Sequence, residues 1–119
     1  MPGPGLSTSR GSLAVKELDW FNLATAQALN PPFNVILGTD VVYYPELVEP
    51  LVRTLAALSD EATQVVIVNE RRSPRVHAMF FKAMTAEFKY QKLAMDQVGD
   101  LFDVSVFDGF IFRKKRKTV

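Results

Sequence analysis

The sequence predicts an α/β domain in which parallel strands are followed by an antiparallel C-terminal pair, with helices flanking the sheet. Three observations carry this. Residues 33–37 and 64–68 are short, nearly uninterrupted apolar runs, the composition of parallel strands covered on both faces. Each leads through a polar segment into a longer stretch whose apolar positions recur at three- and four-residue spacing, the period of a helix packed along one stripe. The last apolar segments, 88–93 and 104–112, alternate instead, as antiparallel strands at a sheet edge do.

The elements follow in order. Residues 1–12, opening Met1-Pro2-Gly3-Pro4-Gly5, are rich in Gly, Pro and Ser and read as a disordered leader with little to bury, so the folded domain is expected over 13–119. Leu13-Ala14-Val15-Lys16-Glu17-Leu18 has the length and character of a short strand. A helical turn over 23–29 is stopped by Asn30-Pro31-Pro32, because the residue before a proline is pushed out of the helical region. After the strand at 33–37, the positions Leu47, Val48, Leu51, Val52, Leu55 and Leu58 mark a helix. Pro50 lies about one turn into it, where a proline is better tolerated than in the middle.

Asp60-Glu61-Ala62-Thr63 forms a polar turn before the β-branched strand 64–68, which ends at Asn69-Glu70-Arg71-Arg72. Ser73-Pro74 signals a new helix start, and Val76, Phe80, Phe81, Met84 and Phe88 share one face of the helix that runs to about Glu87.

Composition narrows the function classes. A chain of 119 residues, 48% of them hydrophobic, is one domain or a piece of one. A net charge of +1 gives no overall field for nucleic acid or membrane. Without Cys there is no disulfide framework, no thiolate nucleophile and no cysteine metal site, and the single His77 makes no metal centre by itself. No apolar stretch approaches the roughly 20 residues of a membrane span, so a soluble, intracellular protein is expected. The one basic block, Arg113-Lys114-Lys115-Arg116-Lys117, reads as a solvated tail, with a nuclear localisation or nucleic-acid patch as its alternative.

The candidate site is the end of the first apolar strand, Phe33-Asn34-Val35-Ile36-Leu37-Gly38-Thr39-Asp40-Val41-Val42-Tyr43. In open α/β sheets ligands collect outside the carboxyl ends of strands, where Asp40 and Tyr43 fall, and Glu70 stands at the end of the next strand. Plainer roles compete: Asp40 as a helix cap, Tyr43 as core, Glu70 with its arginines as a solvated turn, and Trp20 as packing. A nucleotide-like cofactor would also need a glycine turn after a strand. The only Gly-x-Gly, Gly3-Pro4-Gly5, follows none.

Residues 33–46, with their Asp-x-x-Tyr, resemble the corresponding segment of the family-16, seven-β-strand methyltransferases that modify lysines on proteins. Leu18-Asp19-Trp20, the helix with Glu49-Pro50-Leu51, Asn69-Glu70-Arg71-Arg72 and Phe110-Ile111-Phe112-Arg113-Lys114-Lys115 agree in order. The resemblance covers the C-terminal half of the family's domain and implies a partial Rossmann-like sheet. It implies S-adenosylmethionine as cofactor, with Asp19, Trp20 and Thr39 on the cofactor side and Asp40, Tyr43 and Glu70 as catalytic residues. It further implies a protein substrate such as a chaperone, AAA ATPase or elongation factor, and a monomer in the cytoplasm and also the nucleus.

A lysine amine near pKa 10.4 is mostly protonated at neutral pH, so Asp40 is cast as anchor and orienter of the amine, Tyr43 as its hydrogen-bond partner, and Glu70 as a second acidic contact. The family's Gly-rich cofactor loop has no counterpart, so a truncated enzyme, inactive alone, is expected. A noncatalytic interaction module is the alternative. The family's strand order, 3-2-1-4-5-7-6, further implies a four-stranded half-sheet from residues 33–112, with 13–29 dangling, mispaired or lying beside the first apolar strand.

Overall fold

A computed structural model describes residues 6–8, 10–94 and 107–116. Among the described residues nine elements follow one another: β1 (Leu6–Thr8), β2 (Gly11–Leu13), α1 (Leu23–Gln27), β3 (Val35–Thr39), α2 (Pro45–Ala57), β4 (Gln64–Glu70), α3 (Pro74–Glu87), β5 (Phe88–Lys92) and β6 (Phe107–Lys114). Four strands form one sheet in the order β3-β4-β6-β5, with β3 parallel to β4 and β6 antiparallel to both its neighbours. This is the expected half-sheet, parallel strands followed by an antiparallel pair.

Two expectations near the N-terminus are corrected. Residues 6–8 and 11–12 of the expected leader, together with Leu13, form a separate antiparallel hairpin in which Leu6 pairs with Leu13 and Thr8 with Gly11. The expected strand over 13–18 ends at Leu13, because the hairpin offers β2 only three partner residues and the exposed chain beyond it pairs with no strand. Residues 1–5 lie outside the described residues, as do 104–106 of the last predicted strand.

Register explains where the core sits. Val65 and Ile67 of β4 share a sheet face with Ile36 and Gly38 of β3 and with Phe110 and Phe112 of β6. Val48, Leu51, Val52 and Leu55 of α2 and Val76, Phe80 and Met84 of α3 pack on that face. Gly38 is fitted to it, since a Cβ there would stand 3.0 Å from Ile67 Cδ1. An aromatic group centred on Phe112, with Phe80 and Phe88 edge-on at ring distances of 6.1 and 6.4 Å, ties α3 to β5 and β6.

The opposite face carries Val35, Leu37 and Thr39 of β3, all exposed. The sequence predicts this strand covered on both faces, but both long helices lie on the same side of it. An apolar strand looks the same whether or not its second face finds a cover.

Local chemistry fixes the helix ends. Tyr44 is the N-cap of α2 and Pro45 opens its first turn; Ser73 caps α3, its Oγ accepting from the Val76 N–H at 3.3 Å. The helix passes through Pro50, whose carbonyl accepts from buried Thr54 Oγ1 at 2.8 Å. The basic block is not wholly a solvated tail. Arg113 and Lys114 belong to β6; Lys114 Nζ donates to the Ser59 carbonyl at 3.1 Å, and Lys115 Nζ to the Thr85 carbonyl at 2.7 Å. Both carbonyls lie at the C-terminal ends of helices, where positive charge is favoured.

Candidate functional site

The site is built where β3 and β4 end side by side. The Asp40 N–H extends the ladder by donating to the Val68 carbonyl at 2.9 Å, and the chain then turns with Asp40 at φ 50. Few residues besides glycine enter this left-handed region readily; Asp does because its short side chain can hydrogen-bond locally. Here the bond reaches the neighbouring strand end. Asp40 Oδ1 accepts from the Glu70 N–H at 2.9 Å, while Asn69 Oδ1 accepts from the Val41 N–H at 3.2 Å. Two side chains, one from each strand end, thus fasten both exits together.

Three residues converge on this seam. Tyr43 is exposed rather than core, and Asp40 is not the cap of α2, a position held by Tyr44. The Glu70 carboxylate is held by Arg72, whose Nε and Nη2 both reach Oε2, at 3.0 and 2.9 Å. The same guanidinium lies over the Tyr43 ring, its Cζ 5.2 Å from the centroid. Arg71 turns the other way to Asp108 of β6, at 2.7 Å. Arg72 thus joins Tyr43 to Glu70, and Asp40 is tied to the same strand end through the Glu70 N–H. Among the described residues, the second Asp40 oxygen makes no hydrogen bond.

The residues assigned to the cofactor side do not join this seam as a group. Asp19 closes a local turn: its Oδ1 accepts from the Phe21 N–H at 2.9 Å and its N–H donates to Thr25 Oγ1 at 2.9 Å. Trp20 packs against the core, and its carbonyl accepts from Thr54 Oγ1 at 3.4 Å. Thr54 lies about 14 Å along α2 from Pro45, beside which Tyr43 stands, at about 1.5 Å of rise per residue. Thr39 adjoins Asp40 but lies on the exposed face. Gly38 faces Ile67 and makes no cradle. These residues do not by themselves fit S-adenosylmethionine.

Sequence reasoning missed Asn69, Arg72 and Asp108. Asn69 had a signal, since an Asn ending a buried strand needs a partner and it is indeed buried. Arg72 stands in the segment that agrees with the family, but in sequence it reads with Glu70 as a solvated turn, because a polar turn reads so whatever it touches. Beside Asn69 a cleft of about 260 Å³ opens between α3 and β6, lined also by His77, Phe80, Phe81, Asp108 and Phe110. Among the described residues, no group of three or more His, Cys, Asp or Glu is placed to hold a metal ion.

Acidic and aromatic groups gathered at the carboxyl ends of adjacent parallel strands place the chain among the α/β proteins with an open sheet. The particular family is shown by comparison: a family model described as Lysine methyltransferase matches residues 6–87, and the chain belongs to that family. Among solved structures it is similar to M1.HpyAVI, at 15% identity and a TM-score of 0.47, over 84% of this chain and 53% of that one. The chain thus spans about half the length of that structure.

Proposed function

We propose that this chain supplies the substrate side of an S-adenosylmethionine-dependent protein-lysine N-methyltransferase, and that its 119 residues do not transfer a methyl group by themselves. The observation that carries the reading is the seam at the strand ends, where Asp40, Tyr43 and Glu70 meet in a chain of the lysine methyltransferase family. A lysine side chain needs an anchor for its ammonium group and a wall that fixes its approach. Asp40, with one oxygen held by the Glu70 N–H, is a carboxylate of fixed direction; Tyr43 offers a ring face and a hydroxyl; Glu70 adds a second negative charge. Together these groups bind and orient the amine. Cofactor binding calls for a Gly-x-Gly turn after a strand, and the one Gly-x-Gly of the sequence, Gly3-Pro4-Gly5, comes before β1.

The protein substrate is of the chaperone, AAA ATPase or elongation-factor kind, met in the cytoplasm or nucleus. The separation of Asp19 and Trp20 from Asp40 along α2 favours a second reading, a noncatalytic module that docks a lysine-bearing partner. Radiolabelled methyl transfer in cell extract separates the two. The chain alone is expected to incorporate no label. Fused behind a segment carrying a strand and Gly-x-Gly turn, it should methylate protein, and Asp40→Asn should abolish that activity. Incorporation by the chain alone would refute the proposal, and failure of the fused form would favour the module.

A further inference from the structure

We propose that Tyr43 and Glu70 form a cation-binding place that the chain's own Arg72 fills in the free protein, and that a lysine ammonium group enters by displacing it. This rests on the substrate-side reading above and adds how the site discriminates and what holds it closed.

The geometry is that of an occupied site. One guanidinium receives an aromatic face from the segment before α2, at 5.2 Å, and a carboxylate from the end of β4, at 2.9 and 3.0 Å. Those are the two kinds of group that recognise an organic cation. The Glu70 N–H bond to Asp40 Oδ1 brings a second carboxylate to the same seam. Arg72 is kept at hand by a tight turn, its N–H donating to the Glu70 carbonyl at 2.9 Å, so it competes at high local concentration. It is also easily removed. Its side chain is 52% exposed and that of Glu70 37%, and ion pairs this open to water are weak.

Arginine cannot vacate the place by losing its proton, so entry of another cation requires it to swing into solvent. An incoming lysine must outbid an internal cation, which disfavours weakly presented amines and admits those delivered by a docked protein.

The test titrates the isotope-labelled full chain with n-butylammonium chloride, a mimic of the lysine side chain, against sodium chloride at equal ionic strength. Amide and ring NMR signals of Tyr43 and Glu70 report binding. Arg72→Gln is expected to bind n-butylammonium about fivefold more tightly than the native chain, the loss of one exposed ion pair and one exposed ring contact. Arg72→Lys, which keeps an internal cation, should remain close to native affinity. Thermal melting of each variant checks that the fold is retained.

Equal or weaker binding by Arg72→Gln overturns the displacement. If Asp40→Asn and Tyr43→Leu still weaken binding in that case, the substrate-side reading survives it. If neither weakens n-butylammonium binding in any background, that reading falls as well.

Discussion

Asp40 combines a backbone demand with a chemical one, and the two can be separated by substitution. Its φ of 50 penalises any Cβ, and its Oδ1 holds the Glu70 N–H. Asp40→Ala should lose the bond and keep the strain, destabilising the fold by about 1–2 kcal/mol in urea titration. Asp40→Asn keeps an acceptor oxygen and tolerates the left-handed region, so its unfolding midpoint should stay near native while n-butylammonium binding falls. A parallel loss of both in Asp40→Asn would mean that the carboxylate serves the fold rather than a ligand. Asp40 was legible as a strand-end acid because an apolar run stops at it. Its bond to Glu70 was not, because nothing local announces a partner thirty positions away.

At the scale of elements, periodicity carried most of the information. The three- and four-residue spacing found α2 and α3, and Ser73-Pro74 marked the start of α3 because capping and proline placement are local chemistry. The order of β5 and β6 followed from alternation and from the family resemblance together. What stayed hidden was decided by distant contacts: the hairpin of β1 and β2, and the lysines that turn back to helix ends.

The same division orders the energetics. Phe112, with no exposure, meets Phe80, Phe81, Phe88 and Phe110, so Phe112→Ala should cost about 3–5 kcal/mol and leave little folded protein at 25 °C. Ser73→Ala removes only the α3 cap and should cost about 1 kcal/mol. Circular dichroism melts that ranked the two equally would contradict the assignment of the aromatic group as the core of the C-terminal half.

For the molecule as a whole, the decisive asymmetry is a sheet that the described helices pack on one face. Val35 is 53% exposed and Leu37 74%, and β3 is an edge strand whose outer side pairs with no described residue. From Val35 to Thr39 there is no charge and no proline, the devices that normally blunt an edge against pairing with another chain. This pulls against the monomer that the family resemblance implies. The isolated chain should self-associate through β3, with its apolar face and free edge as the common cause. Leu37→Lys places a charge at the centre of that strand on the face where no described helix packs, so it should suppress association without loss of thermal stability. Gln27→Lys, on exposed α1, adds the same charge elsewhere and should change nothing. Sedimentation velocity over a concentration series distinguishes these outcomes. A native chain that stays monomeric throughout, or a Gln27→Lys variant that dissociates as readily as Leu37→Lys, would remove β3 as the cause.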